Sequence, residues 1–154
     1  MGLFRGLREN PKPNSFRSAS DRAHNELRRV PPTGKGRRMR ILLVEDHEDT
    51  RKAMSALLRI TGHQVVDAGD GHAALAATDG AADGFDCAVI DLGLPDQDGI
   101  KLLGELRSRG IAKAIALTGS TGPDDVAACR AAGFTCHLSK PITIEELNAA
   151  LGKL

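Results

Sequence analysis

The stretch DCAVIDLGLPDQDGIKLL, residues 86–103, holds one complete unit of the fold. Its first part, Asp86–Asp91, is a short apolar run that stops at an acid, as a strand covered on both faces does. Gly93, Pro95, Asp96 and Asp98 then supply turn chemistry, and from Gly99 the apolar residues Leu102, Leu103 and Leu106 return at helical spacing. The same succession recurs on either side. Strands are expected near Arg40–Val44, Gln64–Ala68, Lys113–Thr118 and Thr135–Ser139 as well, and helices near Glu48–Thr61, Gly71–Gly80, Gly99–Arg109, Asp124–Ala132 and Ile144–Leu151. Strand followed by helix, five times over, is the pattern of an α/β protein with a doubly wound five-stranded parallel sheet. All five strands should be buried on both sides, and the stripes Met54–Leu57–Leu58, Leu102–Leu103–Leu106 and Ile144–Leu147–Leu151 should face the sheet. End signals agree: Thr143 with Glu146 makes a capping box, Pro123 suits a first helical position, and Gly110 and Gly133 stand where helices end.

The 154 residues, 41% hydrophobic and 27% charged, suit one globular domain with an appendage. A net charge of +1 hides an asymmetry: residues 1–40 hold 11 Lys and Arg against 3 Asp and Glu, whereas residues 41–154 hold 10 against 17. Residues 1–38, with Pro11, Pro13, Pro31 and Pro32 and no sustained apolar period, read as a basic, disordered tail and linker. Only Asp21–Val30 has the pattern of a short helix, and ten residues make a marginal helix alone. The domain proper is expected over residues 39–154, with a core of Ile, Leu, Val and Ala around Phe85 and Phe134. Without Trp or Tyr there is no base-stacking platform, so nucleic acid is not the expected partner. Cys87, Cys129 and Cys136 are odd in number with no metal-binding spacing, which fits a reducing compartment. No apolar run reaches membrane-spanning length and no signal peptide is recognised, so a cytoplasmic location is expected.

In an open doubly wound sheet, ligands bind beyond the carboxyl ends of the strands. Strand one should end in Glu45-Asp46, strand three in Asp91, strand four in Thr118 before Gly119 and Ser120, and strand five in Lys140-Pro141. One strand-end Asp is ordinarily a turn former or a helix cap. An acid pair, an acid, a hydroxyl and an ammonium on four strand ends call for another explanation. Three carboxylates ~5 Å apart repel by roughly 3 kcal/mol per pair at an effective dielectric near 20, and a hard divalent cation relieves that strain. Carboxylates with a backbone carbonyl and waters suit Mg²⁺, while Lys140 and Thr118 add a charge and a donor; together these parts can hold a phosphoryl group during transfer. Asp98 should cap the third helix and stands second to Asp91 as acceptor. His47, His63 and His72 are dispersed, without ligand spacing.

The segments RILLVEDHEDTR (40–51), VIDLGLPDQDGIKLL (89–103), AIALTGS (114–120) and HLSKPITIEEL (137–147) resemble the receiver domain of two-component response regulators, in particular single-domain, CheY-like receivers. The resemblance covers about three quarters of the chain, and its most specific part is the pattern Asp91, Leu94, Pro95, Asp98, Gly99. It implies a flavodoxin-like fold in which Asp91 takes a phosphoryl group from a phosphohistidine on a sensor histidine kinase or a histidine phosphotransfer protein. By the family's pattern Asp46 and Asp91 ligate Mg²⁺, the carbonyl of Gly93 adds a third ligand, and Glu45 helps through water or from behind. Thr118 would bond a phosphoryl oxygen, Lys140 would pair with it, and the Lys140-Pro141 bond should be cis. His137 stands where the family often has Tyr or Phe and reads as a smaller polar stand-in or a surface residue, which leaves the aromatic switch in question. The ALTGS run is similar to receivers fused to hybrid kinases, which favours a multistep relay.

The resemblance implies a signalling phospho-acceptor that catalyses only its own phosphorylation and dephosphorylation. The sequence stops three residues beyond the fifth helix, so output is expected through protein contacts, by signalling or relay, and a homodimer is among the assemblies admitted. An alternative is a nucleic-acid or acidic-surface adaptor that works through the basic tail under the receiver's control. A flavin or other small-molecule protein on the same fold is disfavoured, because an acidic pocket repels a cofactor phosphate.

Overall fold

The computed structural model describes residues 37–120 and 122–154. The tail expected over residues 1–38, with the helix considered at Asp21–Val30, lies outside the described residues as far as residue 36. The described part is β1 (Arg40–Val44), α1 (Glu48–Ile60), β2 (Gln64–Ala68), α2 (Gly71–Asp79), β3 (Cys87–Asp91), α3 (Gly99–Ser108), β4 (Ala114–Thr118), α4 (Pro123–Ala132), β5 (Cys136–Ser139) and α5 (Ile144–Leu151). Five parallel strands stand in the order β2-β1-β3-β4-β5. The winding reverses between β1 and β3, so the crevice for a ligand opens there.

Three strands start one residue later than expected. Asp86 lies outside β3 because its carboxylate accepts the Arg40 N–H at 2.7 Å and Arg37 Nη2 at 3.0 Å, tying the start of β1 to the approach of β3. Lys113 and Thr135 still bond across the ladder, Ala88 N–H to Lys113 O at 3.0 Å and Thr135 N–H to Ala114 O at 2.8 Å. Among the helix ends, α4 begins on Pro123, Gly110 and Gly133 adopt positive φ of 92° and 97°, and Thr143 and Glu146 form both halves of the capping box.

Alternation along the strands sends side chains to two cores. Leu42, Val44 and Ile90 meet Leu102, Leu103, Leu106 and Phe134 on one face, whereas Ile41, Leu43, Val89 and Ile115 meet Met54, Leu58, Leu147 and Leu151 on the other. Full burial holds for β3 and β4 and for β1 after its first residue, but β2 exposes Gln64 and Asp67 and β5 exposes His137. The expectation for β2 and β5 fails because they are edge strands, each with one neighbour. Leu57 also departs from its expected place, 41% exposed beside Ile60 at 71%. Ser55 takes the inward position instead, its hydroxyl donating to Asp67 Oδ2 at 2.8 Å beside Met54 and Leu58.

Candidate phosphoryl-acceptor site

Strand register brings the site together. Val44 pairs with Ile90, so Glu45 follows at the level of Asp91, while Leu117 lies beside Asp91 and Thr118 beside Ser139. The carboxyl ends of β1, β3, β4 and β5 therefore deliver Glu45 with Asp46, Asp91, Thr118 and Lys140 to one rim. Glu45, Asp46 and Asp91 each offer an oxygen within 4.8 Å of the other two.

Asp91 is 5% exposed and has both oxygens engaged. Gly93 N–H donates to Oδ1 at 2.9 Å, and Lys140 Nζ donates to Oδ2 at 2.5 Å. Glu45 is wholly buried, with Oε1 accepting the His47 N–H at 3.1 Å. Its Oε2 lies 2.9 Å from Lys140 Nζ but off the line of a hydrogen bond, so a buried carboxylate oxygen keeps charge contact without a donor. Asp46 is exposed, and among the described residues no cation pairs with its side chain. Burial disfavours the Lys140 ammonium, but the Asp91 hydrogen bond and the charges of Asp91 and Glu45 outweigh it and hold the group above the usual lysine range.

Three carboxylates against one ammonium leave the rim with excess negative charge. All the donors are hard oxygens, and the orphaned Glu45 Oε2 faces the same rim. That set fits a divalent hard cation such as Mg²⁺. Thr118, 6% exposed, has its hydroxyl turned into its own turn, donating to Ser120 O at 3.1 Å and accepting from Ser120 N–H at 3.0 Å. Lys140-Pro141 is cis, as expected. Asp98, the second acceptor considered, is exposed and caps α3 by accepting the Ile100 N–H at 2.8 Å. Gly99 shows why the motif needs glycine: a Cβ there would stand 2.7 Å from the Asp91 carbonyl oxygen and 2.9 Å from Leu92 Cα.

Two residues shape the rim in ways the sequence did not foretell. Arg51 of α1 sends Nη1 back to Glu45 O at 2.8 Å and Asp46 O at 3.2 Å, bracing the turn that carries the acid pair. Asp96 accepts the Gly71 N–H at 3.0 Å and the His72 N–H at 2.9 Å, joining the β3–α3 loop to the start of α2. A basic residue five positions after Asp46 was the available signal for Arg51; Asp96 offered none, since its partners lie 24 and 25 positions away.

A doubly wound parallel sheet with an acidic cluster at the carboxyl ends of its central strands and a lysine just after the edge strand β5 defines a flavodoxin-like α/β domain. Residues 41–152 match the family described as the response regulator receiver domain, and the chain belongs to that family. It is similar to the transcriptional regulatory protein KdpE of Mycobacterium tuberculosis, 34% identical over 111 residues that make up 72% of this chain and 48% of that one. It is similar as well to the transcriptional regulatory protein PhoP of Escherichia coli, 35% identical over 123 residues, 75% of this chain and 52% of that one. The chain thus spans about half the length of these curated relatives. Among solved structures, the chemotaxis protein CheY4 of Vibrio cholerae superposes with a TM-score of 0.68 at 30% identity, covering 75% of this chain and 97% of that one.

Proposed function

We propose that residues 39–154 form a phospho-accepting receiver that takes a phosphoryl group from a phosphohistidine onto Asp91 and passes the signal, or the group itself, to another protein. The donor would be a sensor histidine kinase or a histidine phosphotransfer protein. One observation carries the assignment of the acceptor: Asp91 is nearly buried at the end of a central strand, with a lysine on one oxygen, a backbone N–H on the other, and two further carboxylates beside it.

A carboxylate oxygen of Asp91 attacks phosphorus; the new P–O bond forms as the P–N bond breaks, and the departing imidazole keeps the electron pair and takes up a proton. The product is a mixed anhydride, which water later cleaves to carboxylate and phosphate. Lys140 would exchange part of its pairing with Asp91 for the phosphoryl oxygens, and Thr118 would turn its hydroxyl from Ser120 toward them. Asp46, Asp91 and the carbonyl of Gly93 would hold Mg²⁺, with Glu45 acting through water or from behind. When bound, the cation supplies the positive charge that lets a dianionic group approach this acidic rim. The domain modifies only itself, and a cytoplasmic place of action follows from the proposed donors.

Incubation with acetyl phosphate, with and without Mg²⁺, tests the assignment by mass spectrometry. One phosphoryl group should appear on Asp91 only with the cation present, and Asp91→Asn and Asp91→Ala should both lose it. Stoichiometric labelling of Asp91→Asn would show that another residue accepts.

A further inference from the structure

Between Asp91 and α3 the chain crosses the rim through residues Leu92–Asp98; it leaves the sheet with Leu92 N–H bonded to Leu117 O at 2.9 Å, and three further contacts bear on the rim. At the near end Gly93 N–H is bonded to Asp91 Oδ1 at 2.9 Å, and at the far end Gly99 N–H reaches Leu92 O at 3.4 Å. Both of these contacts are local. The third leaves the loop altogether, because the Asp96 carboxylate spans the N–H groups of Gly71 and His72, the first two residues of α2, at 3.0 and 2.9 Å. That helix has its own cap, Asp70, whose Oδ1 takes the Ala73 N–H at 2.7 Å. Gln97 reinforces the junction by lying against Gly71, where a Cβ would come 2.1 Å from Nε2.

We propose that Asp96 is a positioning residue for the cation pocket: its latch onto α2 holds the β3–α3 loop so that the Gly93 peptide stays against Asp91, and it thereby sets Mg²⁺ affinity. The inference rests on the assignment of Asp91, Asp46 and Gly93 made above. Only three peptide units separate Gly93 from Asp96, a reach of at most about 11 Å, so fixing one restricts the other. With the latch open, the segment would be held only at its two ends, and binding would have to order it at a cost in affinity. Asp96 is well suited to a latch that stays closed at neutral pH. The Gly71 N–H does most to hold its carboxyl below the ordinary value, burial opposes this, and the N–H groups of His72, Asp96 and Gln97 add to the lowering.

The test compares Asp96→Ala with Asp70→Ala by calorimetric Mg²⁺ titration, thermal unfolding and acetyl phosphate labelling. Both variants remove a carboxylate from the start of α2, but only Asp96 connects that helix to the loop. Asp96→Ala should bind Mg²⁺ about tenfold more weakly, the scale typical of groups that orient a metal ligand. Its labelling should slow at limiting Mg²⁺ and recover at saturation, while Asp70→Ala keeps the wild-type affinity despite a lower melting temperature. Asp96→Asn, which retains the volume and one acceptor oxygen, should show a smaller weakening and serves the same purpose should Asp96→Ala fail to fold. Wild-type affinity in the Asp96 variants, or equal weakening in Asp70→Ala, overturns the latch while leaving the acceptor assignment standing. Absence of Mg²⁺ binding in the wild-type protein removes both.

Discussion

Lys140 faces two carboxylates at once, 2.5 Å from Asp91 and 2.9 Å from Glu45, and this sharing sets the character of the rim. One ammonium cannot neutralise three acids, so the site is poised for more positive charge. At the opposite end of the sheet, His63 shows a different use of a titratable group. Its Nδ1 accepts the Met39 N–H at 3.3 Å, and burial pushes the imidazole below its ordinary value of 6.5. Protonation in the unfolded chain then precedes protonation in the folded one. The stability His63 contributes is present above about pH 6.5 and is lost as pH falls toward the lower folded value. His63→Gln should therefore lose less stability than the wild-type protein between about pH 7 and pH 5, measured by urea unfolding; identical slopes would refute the assignment. The meeting of Asp91, Thr118 and Lys140 on one rim was legible residue by residue because each stands at or just after the end of a strand. Arg51 and Asp96 were not, since both act through backbone groups that a sequence motif does not mark.

At the scale of elements, α1 separates two leucines that are adjacent in sequence. Leu58 is wholly buried against the sheet, and Leu57 is 41% exposed. Leu58→Ala removes a full core side chain and should cost about 2–5 kcal/mol, whereas Leu57→Ala should stay within about 1 kcal/mol. Denaturant unfolding distinguishes them, and equal losses would mean that α1 is rotated from the orientation described. Helical periodicity places both residues on an apolar stripe, but its inward arc is decided by the partner surface. Here Asp67 on the edge strand β2 draws Ser55 inward, and Leu57 turns out as a result. The positions of all five helices and strands were readable to within about two residues, the usual uncertainty of element ends. Strand burial was less readable, because apolar composition alone does not tell a central strand from an edge.

For the whole molecule, the acidic domain should become more stable when its pocket is filled. A ligand that binds only the folded state stabilises it by about 2.7 kcal/mol at a hundredfold excess over its dissociation constant. Mg²⁺ should therefore raise the melting temperature of the wild-type protein beyond the effect of NaCl at matched ionic strength, and Asp46→Asn should lose most of that increment. An equal rise in both proteins would assign the effect to general charge screening of a domain with 17 acids against 10 bases over residues 41–154. The amino-acid sequence by itself determined the order of elements, the parallel sheet and which polar side chains stand at the strand ends, because alternating strand and helix patterns admit few windings. Only the tertiary structure decided which carboxylate oxygens face one another, which way the Thr118 hydroxyl points, and how Asp96 ties the β3–α3 loop to the start of α2. Those depend on register and on contacts between residues far apart in the chain, where distance in space is set by the packing of the whole sheet rather than by any local preference.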